Sequence, residues 1–346
     1  MIAEKQVLLH EAGKVWSTLF DPAGRHDYFD VLRVSSTGII RFGIDGTIFE
    51  SDNNGSTFRN ITSVYSGGRL RDFCVMPDGT YIMAGSVYSG GGAKTNLSRY
   101  KGAGITQTGE GLGINAAVLY VTPIYRILVG SYNTNGIWYS DDNGETWTQS
   151  NKTDGSWSVF CVTPTGRLIA GSSNGYGIWY SDDNGVNWTQ SNKTNGSFLS
   201  LCVTSTGRIV AGNGSSGIYY SDNNGVNWMQ SSKTTGICGD ICITNTGRIL
   251  LLARNNNQTY NSIWYSDDNG VNWEIFTTIT NISPLSLAII NSRILTAVVE
   301  PGPVLKYSDA VMGTQKFYTS KPLTGAQAKV LVQQCKDYVQ GLKNSL

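Results

Sequence analysis

IWYSDDNGETWTQSNKTDGS, residues 137–156, and IWYSDDNGVNWTQSNKTNGS, residues 178–197, differ only at Glu145/Val186, Thr146/Asn187 and Asp154/Asn195. Near-identity of two such stretches in one chain is internal duplication, so the sequence is read as a repeat before anything else. The octet inside them returns as Ser51-Asp52-Asn53-Asn54-Gly55-Ser56-Thr57-Phe58 and again from Ser140, Ser181, Ser221 and Ser266, where it closes on Trp147, Trp188, Trp228 and Trp273. Successive starts lie about 40–45 residues apart, with one double gap, which is the size of a four-stranded propeller blade.

A second signature precedes the octets: Thr165-Gly166-Arg167-Leu168-Ile169, Thr206-Gly207-Arg208-Ile209-Val210 and Thr246-Gly247-Arg248-Ile249-Leu250. Short β-branched runs on either side of a glycine turn predict a hairpin. One unit is therefore expected to run as strands over 158–163, 167–171, 177–181 and 187–191. Degenerate copies fill the register at Ser98-Arg99-Tyr100-Lys101, at Ser308-Asp309-Ala310 and at Gly13-Lys14-Val15-Trp16. Counting units beginning near Val31, Asp72, Ala117, Val159, Leu199, Asp240 and Ser286 favours an all-β propeller of seven blades, with six or eight as alternatives. The expected propeller spans 1–320, and a hairpin within 1–20 is expected to complete the last blade, because pairing the first and last segments removes open edges.

The octet resembles the Asp-box, or BNR repeat, of sialidases and other propeller families. The resemblance implies that the third side chain accepts turn amides, that the glycine takes a positive φ and that the tryptophan packs beneath the hairpin. Those positions are Asp142, Asp183 and Asp268, with Asn53 and Asn223 in the other copies, and Trp147, Trp188, Trp228 and Trp273. An asparagine oxygen still accepts amides but carries no charge, so the position reads as a structural strut rather than a catalytic acid or a cation ligand. No metal and no cofactor are expected. The recurrent Arg167, Arg208 and Arg248 read as hairpin or surface arginines, and the aromatic pairs such as Trp138-Tyr139 as core.

The chain of 346 residues has a formal net charge of +1 and only 15% charged residues. It carries no basic stripe, which argues against a duplex nucleic-acid partner. No apolar run is long enough to cross a bilayer, and the start reads as lacking a signal peptide, so synthesis in the cytoplasm is expected. Cys74, Cys161, Cys202 and Cys242 recur at one place in the repeat and are expected as small buried side chains rather than disulfides.

Loops on the end of the ring opposite the Asp-boxes vary while the strands repeat, and function sits on loops carried by a rigid frame. Tyr88, Tyr132, Tyr176, Arg254 and Tyr260 are the candidate ligand-binding residues there, suited to stacking on a cell-surface glycan or contacting a receptor. No catalytic residue is assigned. The expected function is a non-catalytic binding propeller of a bacteriophage particle, in the tail or attached to the capsid. The alternatives are a sialidase-type hydrolase, for which Arg25-His26-Asp27 is the most chemical cluster, and an assembly-factor scaffold. Residues 321–346 lose the turn residues, and Leu331, Cys335, Tyr338 and Leu342 form one apolar seam. A terminal amphipathic helix over 323–346 is expected, docking on virion or assembly proteins or on other copies of the chain.

Overall fold

The computed structural model describes residues 7–8, 16–20 and 29–308, apart from residues 36, 38, 45, 54, 64–68, 90–91, 103, 110–111, 133–134, 245, 255–260, 280–282, 291–292 and 301. Contacts group Met1–Met312 as one unit and Gly313–Leu346 as a second. The expected helix over 323–346 lies outside the described residues, as do Arg25, His26 and Asp27.

Every described regular element is a β-strand, and the strands form seven antiparallel sheets. Six sheets have four strands in simple meander order. In the repeat unit that contains the Ser181–Trp188 octet, the strands are Trp157–Val162, Leu168–Ser172, Ile178–Ser181 and Thr189–Gln190. The first three lie within one residue of the expected spans, and the fourth is cut to two residues because the octet turn occupies its start. The seventh sheet joins early and late strands of the first unit: Trp16–Phe20 pairs with Gly302–Ser308, and Val7–Leu8 is added outside it.

The first strand of each four-stranded sheet, and Ser283–Ile290 of the seventh sheet, is innermost. Trp157–Val162 touches Phe198–Val203, that strand touches Ile237–Ile243, and the contacts continue until Ser283–Ile290 meets Phe29–Val34. The sheets therefore close on themselves as a propeller. The core lies between successive sheets: Leu128 and Ile137 of one pack with Trp157, Phe160, Leu168, Ala170 and Trp188 of the next. Being covered on both faces, second strands such as Leu168–Ser172 and Ile209–Asn213 are buried at every residue, which explains their unbroken runs of small and apolar side chains. This packing puts the first-to-second and third-to-fourth strand turns at one end of the ring and all other connections at the opposite, loop end.

Candidate functional site

At the turn end, the Ser181 hydroxyl donates to Asp183 Oδ1 at 2.9 Å and accepts the Gly185 N–H at 2.9 Å. The Asp183 carboxylate accepts the Asn187 backbone N–H at 2.8 Å and the Asn187 side-chain amide at 2.7 Å. Asn184 and Gly185 have φ of 59° and 92°, and these successive left-handed residues reverse the chain. Trp188, 3% exposed, donates its ring N–H to Gly185 O at 3.0 Å. Asn53 and Asn223 accept the equivalent backbone amides, from Thr57 at 3.0 Å and Asn227 at 2.8 Å. Partial burial works to raise the Asp142, Asp183 and Asp268 carboxyls, but the hydroxyl and amide donors outweigh it and hold all three below the ordinary carboxylate range. These groups are ionised acceptors that fix turns, and they are poor proton donors.

The arginines of the second signature are more deeply engaged than a surface reading anticipates. Arg167 donates to both oxygens of Asp182, at 2.6 and 2.8 Å, and to Asn224 O of the next sheet at 3.2 Å, with its guanidinium 4.2 Å from the centre of the Tyr180 ring. Arg126 and Arg208 repeat the whole arrangement, reaching Asn184 O and Asn269 O. They are ties between sheets. Two other buried acids serve the same end. Asp72 accepts from Arg33 at 2.6 Å and from the Leu119 N–H at 2.8 Å, joining three sheets, and burial pushes its carboxyl up despite those donors. For Glu50, burial is outweighed by donation from Arg59, Tyr81 and Arg41, so its carboxyl lies low.

The cysteines behave as expected of apolar fillers. Cys74, Cys161, Cys202, Cys238 and Cys242 are free thiols. Burial pushes the Cys161 and Cys238 thiols up to about 12, so they are not nucleophiles near neutrality. Among the described residues no three His, Cys, Asp or Glu side chains gather as a metal site. No described helix is long and apolar enough to cross a membrane.

The loop end holds residues that the sequence reading missed. Lys152 is buried, with its ammonium 4.1 Å from the Trp179 ring and 4.9 Å from the Tyr176 ring, and it pairs with Asp154. Lys193 sits 4.4 Å over Tyr219 and donates to Asn195 at 3.1 Å, while Lys233 sits 4.0 Å over Trp264 and donates to Thr235 O at 3.1 Å. The signal was present in the repeat as Ser-Asn-Lys-Thr at 150–153 and 191–194 and Ser-Ser-Lys-Thr at 231–234.

Tyr132 is 48% exposed, and the Arg71 guanidinium lies 5.3 Å from its ring centre. Arg71 is the extra residue of a bulge that each innermost strand makes at this point, where the other sheets carry Asp30, Ala117, Ser158, Leu199, Gly239 and Leu285. A bulge re-aims the side chain it frees. Arg71 Nε is buried with no hydrogen-bond partner. Tyr176 lies in the next sheet and is occupied by Lys152, so the two tyrosines share no partner. Arg254 ends the strand Ile249–Arg254, three sheets on from Tyr132, and is partly buried. Tyr88 lies in Tyr81–Ser89 at the loop end, but its side chain is outside the described set, and Tyr260 is wholly outside the described residues.

A model of the BNR/Asp-box repeat matches residues 138–149. The fold is a BNR-type β-propeller. No curated protein sequence is significantly similar to this chain. Among solved structures, virginiamycin B lyase from Staphylococcus aureus superposes with a TM-score of 0.66 at 12% identity, over 88% of this chain and 99% of that one. YCF48 bound to D1 peptide gives 0.61 at 16%, over 91% and 99%. The GH74 xyloglucanase from Xanthomonas campestris gives 0.62 at 16%, over 84% of this chain and 53% of that one. Likeness at such low identity shows architecture alone, and these neighbours include both enzymes and a peptide-bound protein.

Proposed function

We propose that this propeller is a non-catalytic binding module, of the kind that a bacteriophage particle carries at its tail or capsid, and that it takes a cell-surface glycan or receptor at the loop end beside Tyr132 and Arg71. The observation that carries the reading is the exposed Tyr132 ring with a bulge-directed arginine against it, set on a frame whose repeated acids, arginines and lysines are already committed to turns and ties. An exposed aromatic face takes a sugar ring, and a guanidinium donates to hydroxyl or carboxylate oxygens. Asp142, Asp183 and Asp268, ionised and spent on turn amides, are poorly placed to act as the acid of a glycosidase. Single-site affinity of this sort is weak and is raised by many copies on one particle.

Glycan-array binding of the intact protein, compared with Tyr132→Ala and Arg71→Ala, tests the site. Specific binding that falls at least about tenfold in both variants supports it. Binding unaffected by either change, or no binding to any host-surface glycan or receptor, sinks it. Mass spectrometry of purified phage particles tests the virion assignment separately.

A further inference from the structure

Five innermost hairpins turn through one geometry, in which Gly79, Tyr125, Gly166, Gly207 and Gly247 donate their N–H groups to the carbonyls of Met76, Thr122, Thr163, Thr204 and Thr244 at 2.9–3.0 Å. All five donors have φ between 66° and 87°. Four are glycine, and Tyr125 is the exception. A side chain added at Gly79, Gly166 or Gly247 would meet nothing within 4 Å, so the reason for glycine there is conformational rather than spatial. A bulky L-residue in this region is strained.

Two further losses fall on the same turn. The hydroxyls of Thr165, Thr206 and Thr246 bond those of Thr163, Thr204 and Thr244 at 2.8–3.0 Å, whereas Ile124 stands at the corresponding place opposite Thr122 and has no hydroxyl. Thr165 also accepts the side-chain amide of Asn224 from the next sheet at 2.8 Å. The equivalent amide opposite Ile124 is Asn184 Nδ2, which is buried without a hydrogen-bond partner. Strain, a missing hydroxyl pair and an orphaned amide are thus concentrated on two consecutive side chains. Burial recovers none of it: Ile124 is 72% exposed and Tyr125 59%. A local cost held at an exposed apolar pair points to a contact made outside the chain.

We infer that Ile124 and Tyr125 form an apolar knob that docks into a pocket of another protein, the pocket being apolar at its floor and edged by lysine or arginine. The basic rim follows from the charges of the two octet turns that Arg126, next to Tyr125 in the chain, bonds at Asp141 and at the Asn184 carbonyl. Asp141 is neutralised by Arg126, but the exposed Asp142 and Asp183 bond only hydroxyls and amides and keep their charge. The same carboxylates repel an anionic membrane, and a sugar offers no concavity to enclose a convex pair. The knob lies at the turn end, opposite Tyr132, so this inference stands independently of the glycan reading.

The test places a benzophenone amino acid at Ile124, and as control at Thr165, in the full chain expressed in its native cells. A protein cross-linked from position 124 and not from 165 is identified by its mass, purified and titrated against wild type and the double variant Ile124→Thr/Tyr125→Gly. At least tenfold weaker binding by the double variant, together with weakening of the wild-type complex by added salt, is the expected result. Cross-linking no stronger at 124 than at 165, equal affinity for the double variant, or salt-insensitive binding overturns the inference. A second reading uses stability: Tyr125→Gly should unfold at a higher temperature than wild type, and a lower unfolding temperature would remove the strain argument.

Discussion

The two ends of the ring treat their repeated cations differently. At the turn end Arg126, Arg167, Arg208 and Arg248 each hold the aspartate at one octet position at 2.6–2.7 Å, with an aromatic ring below at 4.2–4.5 Å. At the loop end Lys152, Lys193 and Lys233 keep the ring contact but meet Asp154, Asn195 and the Thr235 carbonyl in turn. Arg126, Arg167 and Arg208 also bond a carbonyl of the next sheet, so any deviation there would disturb the rotation on which closure depends. The polar partners of the lysines lie two residues away in the same loop and are free to change. Uniformity therefore marks the end that builds the ring, and variation marks the end available for recognition.

The largest effect that should separate the two ends is removal of a turn-end anchor. Trp188→Ala is expected to lose about 3–5 kcal/mol in urea unfolding, the cost of a large cavity beneath an octet turn. Next, Arg167→Ala should lose about 1–3 kcal/mol because it strands Asp182 and the Asn224 carbonyl, while Lys193→Ala should lose less than about 1 kcal/mol. Equal losses for the two cations would erase the contrast between the ends.

Smaller effects sharpen it through pH. The lowered carboxyls of Asp142, Asp183 and Asp268 contribute stability that is complete above the unfolded-state value near 4 and is lost as pH falls through the folded value. Asp183→Asn, which copies the natural Asn53 and Asn223 turns, should fold as wild type at neutral pH and lose less stability on acidification. An acid profile identical to wild type would show that the charge is idle even in the turns that carry it.

The smallest expected change concerns Lys233, whose ammonium is lowered by burial. Between that lowered value and the unfolded-state value near 10.4, the unfolded chain binds more protons, so stability should rise with pH. Lys233→Met should abolish that rise. Its persistence in the variant would assign the effect to another group.

Much of the architecture was legible because it is local. The Ser181–Trp188 octet contains its own donors, acceptors and left-handed residues, and the alternation around Gly166 defines a hairpin without reference to any other part of the chain. The candidate site was less legible. Tyr132 and Tyr176 look alike in sequence as loop tyrosines, yet one is exposed beside an arginine from the preceding sheet and the other is taken by a lysine. In sequence Arg71 is one of several non-repeated arginines that could be imagined as a clamp, and only a bulge, invisible in composition, sets it beside Tyr132.

The sequence by itself determined the repeat, the strand and turn chemistry and the identity of the struts, since each depends on residues within one hairpin. Tertiary structure alone decided which cation reaches which neighbour, how Trp16–Phe20 finds Gly302–Ser308 and why the Asn184 amide is orphaned. Those outcomes depend on groups tens to hundreds of residues apart, brought together only when the sheets rotate into a closed ring.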